Sequence, residues 1–75
     1  SISDWVRGKH KSKDCEVMQF NNGVLVERKD NVAKTYSYYE LINGNVYSYN
    51  LTLASQYEEF FEWEVTQILK SIIFL

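Results

Sequence analysis

The chain has one cysteine and one histidine among its 75 residues, and each scarcity excludes a class of chemistry. A lone Cys15 forms no intrachain disulfide and supplies no thiolate cage for zinc. At the start of a strand-like segment it reads as a buried structural thiol. His10 sits in a basic run with no carboxylate at a useful spacing, so it reads as a solvated side chain. No segment reaches the roughly 18 apolar residues of a membrane span, and the N-terminus carries no apolar leader. A reducing cytoplasmic setting is therefore expected, with no membrane association. Asn50-Leu51-Thr52 matches a glycosylation sequon, but without a leader it reads as coincidence. No Gly-rich phosphate loop and no Ser/His/Asp set is present. Glu58 and Glu62 lie one helical turn apart and are better read as a solvated acidic face than as a divalent metal site. The expectation is a non-enzymatic domain with no metal and no cofactor.

What the chain does have is aromatic side chains. Two Trp, six Tyr and four Phe stand within a hydrophobic content of 45%, well above that of a disordered chain. A single domain of this length buries only roughly 60–65% of its unfolded surface. Rings that each bury roughly 150–250 Å² suit so thin a core. Net charge is −2, but its distribution is uneven. Arg7, Lys9, Lys11 and Lys13 face only Asp4 near the N-terminus, whereas Glu58, Glu59, Glu62 and Glu64 crowd the last third. Such polarity steers or orients a partner.

The pattern predicts an α+β fold in one domain: a basic N-terminal arm over 1–13, a four-stranded antiparallel meander over 14–51 and a C-terminal helix over 55–75 packed on one face. Ser3 to Arg7 forms at most one helical turn, stopped by Gly8, and 8–13 reads as an exposed linker. Asp14 to Phe20 and Val24 to Lys29 flank Asn21-Asn22-Gly23. A three-residue loop with Gly23 in the left-handed region pairs Phe20 with Val24, Met18 with Val26 and Glu16 with Arg28, leaving one clean apolar face. Val32 to Ile42 and Val46 to Leu51 flank Asn43-Gly44, a strong two-residue hairpin signal. That turn sets Tyr38 opposite Tyr49, Glu40 opposite Tyr47 and Tyr36 opposite Leu51. The four tyrosines then share a face, while Tyr39, Leu41, Val46 and Ser48 take the other. Ser55 followed by Glu58 fits a capping box. At about 100° per residue, Tyr57, Phe61, Val65, Ile68, Leu69 and Ile72 form the stripe that meets the sheet. Phe60 lies at its margin, and Trp63 and Phe74 fall outside it.

Two surfaces emerge. The first joins Trp63, Phe60 and Phe74 to Glu59 and Glu62: aromatic anchors with an acidic rim, suited to a protein partner with a basic surface. The apolar end Ser71-Ile72-Ile73-Phe74-Leu75 is too bulky for one helix face, so a homodimer or a partner would bury it unless it packs around the sheet edge. The second surface combines Arg7, Lys9, Lys11 and Lys13, with Trp5, Arg28, Lys29 and Lys34 nearby, and Tyr36, Tyr38, Tyr47 and Tyr49. Cations for phosphates and rings for bases are the ingredients of single-stranded nucleic-acid binding. In character, a small, acidic, Tyr-rich domain without catalytic motifs resembles the inhibitor proteins that phages and other mobile elements encode, anti-CRISPR and DNA-mimic proteins among them. That resemblance implies an interaction module that inhibits or regulates a nucleic-acid-handling machine, and it assigns no residue.

Overall fold

A computed structural model describes every residue except Ser12 and Leu75. The order is helix α1 (Ile2–Lys9), strands β1 (Cys15–Phe20), β2 (Gly23–Lys29), β3 (Ala33–Ile42) and β4 (Asn45–Ala54), a 3₁₀ turn at Ser55–Tyr57, and helix α2 (Glu58–Lys70). The strands form one antiparallel sheet in sequence order, β1-β2-β3-β4. The expected meander with a C-terminal helix is present. A second helical layer is present too, because α1 covers the opposite face.

That second layer corrects the reading of the N-terminus as an arm. Ser1 caps α1, its hydroxyl accepting from the Asp4 amide, and the helix runs through Gly8 to Lys9 rather than stopping at Arg7. Eight residues are too few to hold a helix alone in water. Docking supplies the stability: Val6 is wholly buried against Val24, Val26 and Tyr39, with Ile2, Cys15 and Val17 around it. Cys15 is accordingly half-buried in an apolar setting. Of the expected linker, Ser12 lies outside the described residues.

Burial on both faces also overturns the expected β1–β2 register. The loop is two residues, Asn21-Asn22, so Phe20 pairs with Gly23, Met18 with Leu25, Val17 with Val26 and Cys15 with Arg28. A one-faced sheet favours the register that gathers all apolar groups on one side. Here α1 takes Val17, Val24 and Val26, and α2 takes Met18, Phe20 and Leu25, so a continuous apolar run is buried from both sides. Asn21, at φ 49°, supplies the left-handed residue expected of Gly23. Gly23 answers a different need, close approach. A Cβ there would stand 2.1 Å from the Tyr39 carbonyl oxygen and 2.8 Å from the Tyr38 hydroxyl.

The second hairpin follows the expected register, with Tyr38 opposite Tyr49, Glu40 opposite Tyr47 and Tyr36 opposite Leu51. Both turn residues have positive φ, Asn43 at 51° and Gly44 at 82°, as a type I′ turn demands. Between β2 and β3, the Asp30 carboxylate accepts the Val32 and Ala33 amides at 2.8 Å each, and those two bonds hold its pKa below the ordinary carboxylate value.

The tyrosine face lies under α2. Tyr36, Tyr38 and Leu25 pack with Val65 and Leu69, and Met18, Phe20, Leu51, Leu53, Ile72 and Phe74 close around them. The expected capping box does not form. Ser55 instead donates its amide to the Val32 carbonyl and its hydroxyl to the Asp30 carbonyl, tying the 3₁₀ turn to the sheet. The helix therefore starts at Glu58 and ends at Lys70 rather than spanning 55–75. Beyond Ser71 the chain leaves the helix and lays Phe74 on Tyr38, nearly parallel with centroids 6.2 Å apart, and beside Tyr47 at 5.5 Å. Leu75, the expected helix end, lies outside the described residues.

Candidate interaction surfaces

The α2 surface begins with how the helix is anchored. Lys34 on β3 reaches Glu27 Oε1 at 3.0 Å and Glu58 Oε1 at 3.1 Å, while Lys29 meets Glu58 Oε2 at 2.8 Å. Burial works against the Lys34 charge, but the two carboxylates outweigh it and hold its pKa above the ordinary lysine value. The same ammonium lies 5.1 Å from the Tyr36 ring centroid. Lys29 and Lys34, grouped at sequence level with the basic surface, thus belong to the acidic helix. They hold the Glu58 carboxylate below its ordinary pKa.

With its inner side given to Val65, Leu69 and Glu58, α2 turns the opposite side outward. Phe60 is 74% exposed and Trp63 69% exposed. Glu59 and Glu62 border them, and a shallow groove continues along Thr66, Gln67 and Lys70. The helix alone lines this groove, so it is an open surface rather than a cleft. Phe74 is not part of it. The aromatic expected beside Trp63 is folded inward onto Tyr38 and Tyr47, because the helix has already ended. Ile72 likewise packs on the core, while Ile73 remains 77% exposed.

The basic residues gather on the far side of the sheet. Trp5 meets the Tyr39 ring edge-on at 5.8 Å, and His10 Nε2 lies 2.8 Å from the Tyr39 hydroxyl oxygen. Lys9 Nζ stands 5.1 Å from the Trp5 ring and 5.7 Å from that of Tyr39. His10 is thus a docked, half-buried group rather than a solvated one. Burial lowers its pKa, and the charges of Lys9 and Arg28 lower it further, so it is neutral near pH 7.

This geometry divides the cation and tyrosine set. Arg7 and Lys9 belong to α1, with Lys11 and Lys13 just after it, whereas Tyr36 and Tyr38 are buried under α2 on the opposite face. Tyr47 and Tyr49 stay 41% and 37% exposed on β4, also on the α2 side. The ring that does join the cations is Tyr39. Strand alternation already set Tyr39 opposite to Tyr38, but only the docking of α1 brings Trp5, Lys9 and His10 to it. Among the described residues, no group of His, Cys, Asp and Glu side chains could hold a metal ion, and no helix is long and apolar enough to cross a membrane. No protein-family model matches the chain, and no curated protein or solved structure is significantly similar to it.

Proposed function

We propose that this chain is a non-enzymatic protein-interaction module that engages a basic surface of a partner through the outward flank of α2. One observation carries the reading: Phe60 and Trp63 stand exposed, bordered by Glu59 and Glu62, on the side of α2 away from the Val65 and Leu69 that seat it in the core. Large aromatics anchor interfaces, and a rim of one charge sign selects the opposite sign and speeds encounter. Proteins that handle nucleic acids present basic surfaces of the required kind. The partner class is therefore a nucleic-acid-handling protein, which this chain inhibits or regulates by occupying that surface.

The test is recovery of a protein partner from lysate with wild type, Trp63→Ala and Glu59→Lys/Glu62→Lys in parallel, with and without nuclease. A partner that survives nuclease and is lost with both variants supports the reading. Recovery that needs nucleic acid, ignores Trp63 and weakens on changing Lys9, Lys11 and Lys13 would replace it with direct nucleic-acid binding.

A further inference from the structure

The two edges of the sheet are built differently. β1 is short, six residues, and carries Glu16, with Lys13 and Asp14 just before it. β4 is ten residues long, Asn45-Val46-Tyr47-Ser48-Tyr49-Asn50-Leu51-Thr52-Leu53-Ala54, with no charged residue and no proline. Edge strands are normally blunted by shortness, charge, proline or a bulge, since their free amides and carbonyls otherwise pair with another strand. The pairing with β3 runs unbroken from Ile42↔Asn45 to Ala33↔Ala54. β4 thus has none of these protections.

The register decides which groups are free. In a two-residue hairpin the residues flanking the turn, Ile42 and Asn45, form a hydrogen-bonded pair, and such pairs alternate along the ladder. Asn45, Tyr47, Tyr49, Leu51 and Leu53 therefore bond to β3. The amides and carbonyls of Val46, Ser48, Asn50, Thr52 and Ala54 point away from it. The bond from the Ser55 amide to the Val32 carbonyl, one step beyond the Ala33–Ala54 pair, has the phase this requires.

We propose that β4 pairs antiparallel with β4 of a second copy about a two-fold axis at Asn50, giving a continuous eight-stranded sheet. This register places Val46 against the second copy's Ala54, Ser48 against Thr52 and Asn50 against Asn50, so every outward backbone group finds a partner. On the α2 side it sets Tyr47 across from Leu53 and Tyr49 across from Leu51, aromatic–aliphatic pairs that favour a sheet. A two-fold displaced by one hydrogen-bonded step, to Ser48, leaves Ala54 unpaired. Nothing in the strand repels its copy, because no charge falls on either side of the seam. The charged elements are also well disposed. α2 runs from Glu58 at Lys34 back toward Phe74 at Tyr47, so the two-fold turns the acidic start of one α2 toward the Lys70 end of the other. Each basic α1 stays over β1 to β3, away from the seam. A closed two-fold pair of this kind is the common form of homo-oligomer. It leaves both Trp63 flanks facing outward, which makes the pair bivalent.

The experiment is sedimentation of the chain across the micromolar range, with backbone amide exchange at the same concentrations. The expected mass is twice the 8.9 kDa of one chain. With dimerisation, slow exchange appears at Val46, Ser48, Asn50, Thr52 and Ala54, whereas Tyr47, Tyr49, Leu51 and Leu53 are protected at every concentration. Ser48→Pro removes one outward amide, and Ser48→Lys/Thr52→Lys opposes like charges across the seam without touching the backbone. Each variant should raise the dissociation constant at least about tenfold while keeping the monomer's circular dichroism, and Trp63→Ala should leave it unchanged. A wild type that is monomeric throughout overturns the proposal. So does a dimer of wild-type strength in the lysine variant, a dimer lost on Trp63→Ala, or open-ended assembly. Protection of the outward amides by an added extended peptide without any dimer would assign the edge to a foreign strand instead.

Discussion

The two helices of this sandwich are made from similar materials and put them to opposite uses. α1 carries Trp5 and Lys9 and turns them toward the sheet, where the indole, the ammonium and His10 converge on Tyr39. α2 carries Phe60 and Trp63 and turns them to solvent, because Val65, Leu69 and the returning Phe74 already fill the space beneath it. An aromatic on a short helix is recruited to hold that helix down. One on a helix already held by Val65, Leu69 and the Glu58 ion pairs is left to solvent. The layers differ in charge as well: cations surround the α1 cluster, whereas Glu58 on α2 is neutralised from the sheet by Lys29 and Lys34, leaving Glu59 and Glu62 outward.

The largest expected effect falls on the element both layers share. Gly23→Ala drives a methyl into the Tyr39 carbonyl oxygen and the Tyr38 hydroxyl. The carbonyl cannot retreat without opening the adjacent Val24–Tyr39 pair. A loss upward of about 3 kcal/mol is expected, read as a collapse of the denaturant midpoint, and near-native stability would show that the backbone at Gly23 yields to a methyl without opening the pair. Next come the two seats. Leu69→Ala, 3% exposed, should cost about 2–4 kcal/mol and destabilise the whole domain. Val6→Ala removes less hydrocarbon, about 2 kcal/mol by buried methyl groups, and its effect should be local. An eight-residue helix that loses its seat unfolds rather than persisting free. Amide exchange should accelerate through α1 while the β3–β4 ladder stays protected, and uniform acceleration would mean that the layers are one cooperative unit.

How much was legible follows the same division. Asn43-Gly44 sets the β3–β4 register because one short signal fixes both turn geometry and pairing. Of the six residues that helical periodicity sets against the sheet, Val65, Leu69 and Ile72 do pack there. Tyr57, Phe61 and Ile68 stay 47%, 45% and 42% exposed, because the stripe that seats α2 is narrower than the apolar face of the wheel. The α1 layer was not readable, since its docking rests mainly on one residue, Val6, too few for any periodicity to show. The β1–β2 register depends on that layer: a sheet covered on one face favours a pairing displaced by one residue, with Gly23 left-handed, whereas the two-faced sheet pairs Phe20 with Gly23 and leaves the left-handed position to Asn21. At the candidate site, Phe60, Trp63, Glu59 and Glu62 followed from the helical wheel. Phe74 did not, because nothing local announced that the helix would stop at Lys70.

Acid should separate the layers further, by a smaller amount. The folded pKa of His10 lies below the ordinary 6.5. Between those two values the unfolded chain holds more protons, so the His10 contribution is complete above pH 6.5 and is lost as pH falls through the folded value. Glu58 is shifted down from 4.5 by its lysines. Its contribution is complete above 4.5 and is lost only as pH falls below that, through its folded value. Trp5 fluorescence and α1 amide exchange should therefore respond in the window below pH 6.5, while α2 signals hold until below 4.5. His10→Gln should flatten the first step alone, and simultaneous loss of both layers would break the distinction.

The smallest stability effect is the one that bears most directly on function, and it compares the two tryptophans. Trp5 is 47% exposed but has Tyr39 at its edge and Lys9 over its face. Trp5→Ala should cost about 1–2 kcal/mol through the lost aromatic and cation–π contacts. Trp63 has no aromatic ring against it among the described residues, so Trp63→Ala should stay within about 0.5 kcal/mol of wild type. Paired denaturation curves measure both. Equal losses would mean that Trp63 serves the fold and has no surface role to spare. A silent Trp63→Ala leaves about 69% exposure of a large ring without a structural reason, and partner binding by that variant then becomes the decisive assay, because any loss cannot be blamed on unfolding.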